Sequence, residues 1–139
     1  MRCRLAACRL SHRLARLKLF TSQKMQTTFQ VAAWLLVLAI VVLSVGPPST
    51  RPITGAGHAL EHLSIFLATG LAFALGYPRR FWSLCLPLLA FTAAIEVAQT
   101  LVPGRHARVS DFLLDATASC FGVGLSYLLG LFKAATIQD

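Results

Sequence analysis

Four stretches of this chain are too apolar, for too long, to belong to a water-soluble fold. Residues 29–45 hold one Gln and one Ser among seventeen positions. Residues 58–77 keep their polar groups mainly in the first two turns. Residues 81–102 are interrupted by Pro87, Glu96 and Gln99, and residues 109–132 carry Asp111 and Asp115 near their start. A helix needs about 20 residues to cross the hydrocarbon core, within a range of roughly 17–25, and lengths of 17, 20, 22 and 24 all qualify. No strand-like alternation competes with these runs. In lipid every backbone polar group must be bonded internally, so such runs fold as helices. The expected fold class is all-α: a polytopic membrane protein, a bundle of four transmembrane helices.

Four of the five acids lie inside or at the rim of these runs: Glu61, Glu96, Asp111 and Asp115. An ionisable group at bilayer depth costs on the order of 2.5–3.5 kcal/mol. Acids kept there serve an internal polar network or a site. Four alternating spans bring several polar positions to one end of the bundle. His58, Glu61 and His62 open the second run, Glu96 and Gln99 close the third, Arg105 and His106 follow it, and Asp111 and Asp115 open the fourth. The opposite end has Arg79, Arg80 and Lys133 and no internal acid.

Helical spacing refines that picture. His58 and His62 share a face, as do Glu96 with Gln99 and Asp111 with Asp115. Ala118, Gly122, Ser126 and Gly130 continue a small-residue stripe below Asp115, which lets another helix approach closely. Asp115 is therefore expected to face a helix and not lipid. Arg105 is the nearest fixed cation, suited to a carboxylate or an anionic ligand. Glu61 and Asp111 also fit as first-turn acids that complement the helix dipole. Glu96 and Asp115 lie deeper, where the plain alternative is a buried network that joins the helices.

The string His58, Ala59, Leu60, Glu61, His62 matches the inverted zinc-hydrolase pattern His-x-x-Glu-His. It would make His58 and His62 ligands and Glu61 a general base, with Glu96 or Asp115 as a third ligand. The pattern has three fixed positions and lacks the soluble domain that usually carries it, so no metal and no cofactor are assigned. Cys3, Cys8, Cys85 and Cys120 form no Cys-x-x-Cys pair, and no disulfide framework is expected.

The formal charge of +8 is lopsided: seven of thirteen basic residues fall in the first twenty-four, and no acid precedes Glu61. Leu10, Leu14 and Leu17 alternate with Arg9, Arg13 and Arg16 at helical spacing, which suits an anionic membrane surface. No soluble module accompanies the charge, so nucleic acid is not an expected partner. The chain divides into a basic segment, 1–24, and a membrane domain, 25–139. The sequence is equally compatible with translation starting at Met25, with 25–30 as a short lead into the first span. Ten basic residues flank one side of the bundle and three the other, which places both termini inside. Starting at Met25 would leave three against three. Ser110 is the expected N-cap of the fourth helix.

Residues 58–124 resemble the VanZ-like family of small bacterial membrane proteins. The resemblance rests on Glu61-His62 with Phe66, on Glu96-x-x-Gln99, on Pro103-Gly104-Arg105, and on Asp111-x-x-x-Asp115 with Gly122. It implies a protein of the bacterial cell envelope, in a family whose namesake is linked to resistance to teicoplanin, a lipid-bearing glycopeptide. It brings no defined reaction. Family members often carry Asp-Lys where His58 and Ala59 stand, and an Asn is common at the position of Asp115. The primary expectation is a protein that binds or modulates a membrane lipid or lipid-linked envelope precursor. Arg105 would hold an anion, with Glu61, His62, Glu96, Gln99, Asp111 and Asp115 around it. The alternatives are a membrane-embedded enzyme using Glu61, His62 or Glu96 as acid or base, and a structural network without a ligand.

Overall fold

The structure, a computed structural model, describes residues 2–46, 57–77, 81–103 and 108–136, with side chains over 22–46, 57, 59–77, 81–103 and 108–129. Four helices follow one another: α1 (Arg2–Val45), α2 (His58–Gly76), α3 (Phe81–Thr100) and α4 (Val109–Thr136). No strand occurs among the described residues. Each helix contains a stretch long and apolar enough to cross a membrane: Ser22–Val45, Ala59–Gly76, Phe81–Thr100 and Val109–Leu129. The four-span architecture expected from the sequence is the observed one.

The first span differs in its start. α1 runs unbroken from the basic stretch into the apolar one, so the lead through 25–30 is itself helical. Residues 22–30 contain no Gly or Pro to stop it. Thr27 and Thr28 donate their hydroxyls to the carbonyls of Gln23 and Lys24, both at 3.0 Å, and so stay within the helix. The other ends follow the punctuation in the sequence. The N–H of Tyr77 bonds to the Phe73 carbonyl at 2.8 Å and closes α2 just before Pro78. Two tight turns at Leu101 and Val102 end α3 before Pro103, which cannot continue the ladder. α3 itself passes through Pro87 without a break.

Packing is uneven. α2 lies most extensively against α4, α1 packs on α2, and α3 packs on α4, while α1 and α3 touch only lightly. Alternation makes α2 and α4 parallel, and paired residues advance together along both: His62 meets Asp115, and Gly70 meets Ser119. The two backbones are in direct contact there. A Cβ on Gly70 would lie 2.0 Å from the Ser119 carbonyl oxygen, and one on Gly122 would lie 2.3 Å from that of Leu67. The expected small-residue stripe thus does what such stripes do. α1 is fastened to α2 by polar bonds: Gln30 Nε2 donates to the Gly76 carbonyl at 2.8 Å, and Trp34 Nε1 to the Tyr77 hydroxyl at 3.1 Å.

The interior has an apolar level around Ala74, Leu84, Cys85, Leu88 and Val123, and a second around Ile40, Phe66, Ile95 and Ala118. Leu35, Leu38, Leu86, Val97, Leu113 and Phe121 point outward, whereas Thr69, Thr92, Glu96, Gln99, Asp115 and Ser119 are buried. This reverses the usual soluble pattern and fits a bundle whose solvent is hydrocarbon.

Backbone contact at two glycines gives a sharp stability test. Gly70→Ala and Gly122→Ala each force the helices apart, and overpacking costs typically 1–3 kcal/mol. Gly124→Ala meets only the Phe81 ring, at 3.8 Å, and serves as the control. In detergent, the first two variants should unfold at clearly lower temperature than the third. Equal midpoints for all three would contradict the contact.

Candidate functional site

The polar positions do not form one continuous cluster; they form two interhelical connections at the same end of the bundle. The first joins α2 to α4. His62 Nδ1 lies 3.1 Å and 3.0 Å from the two carboxylate oxygens of Asp115. The side chains are 14% and 3% exposed, so this pair is shielded while its histidine edge remains reachable. Asp115 faces α2 and not lipid, as the small-residue stripe led one to expect. His62 also stacks on Phe66, with ring centroids 6.0 Å apart, which fixes the plane of the imidazole. With Nδ1 as the donor to the carboxylate, the second ring nitrogen is left as the acceptor of a neutral imidazole.

The second connection joins α3 to α4. The backbone N–H of Arg108 donates to Oε1 of the buried Glu96. Arg108 is the N-cap of α4, since its carbonyl accepts from Asp111 N–H at 2.9 Å and Phe112 N–H at 3.2 Å. Ser110, expected at that position, instead lies within the first turn and directs its hydroxyl to Asp111 at 3.2 Å. The helix begins one residue earlier than Ser110 would set it, and the N–H of its cap residue is met from another helix, by Glu96. In a local capping box a Glu three residues downstream satisfies the N-cap N–H; here a residue twelve positions upstream does so. The carboxylate also lies at the positive end of the α4 dipole.

Gln99 is buried one turn beyond Glu96. Glu61 and Asp111 are half-buried in the first turns of α2 and α4. Arg105 and His106 lie outside the described residues, and so does the side chain of His58. Among the described residues no group of three or more His, Cys, Asp or Glu side chains could hold a metal. Glu96, the sequence's third zinc candidate, is engaged on the start of α4.

Sequence reasoning missed Ser119. It is fully buried, and its hydroxyl has no hydrogen-bond partner among the described residues. It stands one turn below Asp115 on the same face of α4. Two other buried hydroxyls bond back to their own helices, Thr69 to the Ile65 carbonyl at 2.7 Å and Thr92 to that of Leu89 at 2.9 Å. The i, i+4 spacing from Asp115 was the available signal, but a Ser among small residues reads as packing. Together these groups can exchange hydrogen bonds with hydroxyl or amine groups, and the His62–Asp115 pair can move a proton.

A family model described as VanZ/LLP1 matches residues 8–130. No curated protein and no solved structure matches the chain.

The two connections should respond differently to conservative change. Glu96→Gln keeps an acceptor for the Arg108 N–H, whereas Glu96→Ala leaves that donor unmet and should cost about 1–2 kcal/mol. Chemical denaturation in detergent would resolve the difference, and equal losses would contradict the cap. For the other pair, Asp115→Ala and His62→Ala should be non-additive, with a coupling on the order of 1–3 kcal/mol in a double-mutant cycle. Additive losses would mean that the two groups do not interact.

Proposed function

This chain belongs to the VanZ/LLP1 family, and we propose that it is a multi-pass protein of the bacterial plasma membrane whose polar end binds the head group of an envelope lipid or lipid-linked glycan. Both termini lie inside, so the polar end faces outward. The observation that carries this reading is the His62–Asp115 pair at the mouth of the bundle, with the unmatched Ser119 hydroxyl one turn deeper. A ligand hydroxyl or amine would meet the reachable edge of the His62 imidazole there. A purely structural network gains little from an orphaned hydroxyl, which costs about 1–3 kcal/mol when buried without a partner. Arg105, in the loop that joins α3 to α4, supplies a cation for an anionic head group. Binding of this kind would alter how a lipid-bearing glycopeptide such as teicoplanin engages the membrane surface.

One feature favours a second reading, an acid–base enzyme acting on the same head group. A carboxylate on Nδ1 holds a histidine in the tautomer that a general base requires. No nucleophile accompanies it, so binding is the primary reading.

The first test is topological. In a background with the four cysteines replaced by serine, Ala107→Cys is exposed to an impermeant maleimide in intact cells. Labelling of intact cells is the expected result. Protection until lysis would place the polar end in the cytoplasm and end the envelope reading. Function then separates binder from enzyme in a host whose teicoplanin susceptibility shifts with expression of the chain. At matched membrane levels, His62→Asn and Asp115→Asn should weaken that shift partially. Complete loss with each of His62→Asn, Glu96→Gln and Glu61→Gln would favour catalysis.

A further inference from the structure

α1 and α3 touch only lightly, and behind them α2 closes the gap. The result is a cleft of about 380 Å³, lined by Trp34, Val37, Phe73, Tyr77, Leu88 and Phe91 among others. That volume is in the range of small-ligand pockets, about 300–1,000 Å³. The cleft lies toward the end of the bundle away from His62 and Asp115, so it owes nothing to the polar site. Its walls are mostly apolar, with Ser83 and the tips of Trp34 and Tyr77 as the polar exceptions, and it opens between two helices that each contain a membrane-crossing stretch. Water finds few partners in such a space, and an empty gap forfeits dispersion contacts along its lining. Hydrocarbon is the occupant that satisfies both constraints.

The rim says which end of a lipid lies where. Trp34 is 58% exposed and forms one lip. Its ring is held edge-on against Phe73, with centroids 5.5 Å apart, and its N–H is bonded to the Tyr77 hydroxyl. The joined polar tips of Trp34 and Tyr77 mark the end of the cleft nearer the head groups, the side that amphipathic aromatic rings favour. From Trp34 one stripe of α1 continues toward the N-terminus through Val31, Thr27 and Lys24, at three- and four-residue spacing. All three are exposed. Lys24 lies ten residues from Trp34, about 15 Å along the helix. It belongs to the run of seven basic residues that precedes every acid in the chain, a composition that attracts anionic lipid.

We infer that the cleft between α1 and α3 is a binding site for one anionic phospholipid, with an acyl chain between Trp34 and Phe91 and the phosphate toward Lys24. The chain contains two tryptophans, Trp34 in the cleft and Trp82 outside it, which makes the site readable. Full-length Trp82→Phe protein, with Trp34 as its only indole, is placed in phosphatidylcholine vesicles containing increasing amounts of brominated phosphatidylglycerol or brominated phosphatidylcholine. Trp34→Phe protein, which reports from the 67% exposed Trp82, is the reference for ordinary surface lipid.

Trp34 should be quenched at several-fold lower fractions of the brominated anionic lipid than of the brominated zwitterionic one. Trp82 should follow the overall lipid fraction with either. Lys24→Gln should remove the head-group preference at Trp34, and Val37→Phe, which fills the cleft, should reduce quenching by both lipids. Equal curves for the two lipids at Trp34 would overturn the site. So would the same anionic preference at Trp82, which would mark a general surface-charge effect. Absence of quenching at Trp34 by either lipid would mean that another protein surface covers the cleft, and would overturn it as well.

Discussion

The close approach of α2 and α4 is the contact on which the rest of the bundle depends. Lipid tails are as apolar as leucine, so helices in a bilayer gain no hydrophobic drive toward one another. Association must come from packing and internal hydrogen bonds. Gly70 and Gly122 let the two backbones touch, and the touching backbones bring His62 within reach of Asp115. α1 packs on α2, and α3 on α4. A bulkier residue at either glycine would separate the helices and the His62–Asp115 contact together, so packing and polar chemistry are not independent properties of this interface.

Much of this was legible in the sequence, and the reasons are specific. Span length and alternation gave the four helices and brought the N-terminal turns of α2 and α4 to one end. The stripe through Ala118 and Gly122 marked the face of α4 that meets a helix, and so oriented Asp115. What stayed hidden was which side chain meets which backbone. Glu96 bonds the N–H of Arg108, an atom that no side-chain pattern reveals. Ser110 is not the cap because the helix begins one residue earlier, at Val109, with Arg108 as the N-cap whose N–H donates to Glu96. The continuity of α1 is a structural detail that the sequence leaves open: Thr27 and Thr28 bond within the helix and leave nothing to interrupt it. The cleft was invisible for another reason. A gap between α1 and α3 is a property of how three helices are placed, and no single helix encodes it.

The distribution of charge follows from the direction of the dominant helix pair. α2 and α4 run parallel, so their dipoles are aligned side by side and work against each other. Each helix end carries roughly half an elementary charge, positive at the N-terminus and negative at the C-terminus. Acids near both N-termini offset that repulsion. Glu61 stands in the first turn of α2 and Asp111 in that of α4, with Asp115 one turn further and Glu96 on the N-cap N–H. In sequence, Arg79 and Arg80 follow α2 and Lys133 falls in the last two turns of α4, where cations serve the same purpose at the opposite end. A parallel pair therefore makes one end of the bundle the cheapest place to bury acids. A polar site can exist at that end without a metal or a dense cation cluster to neutralise it, while the other end is left to apolar packing around Leu84, Cys85 and Val123.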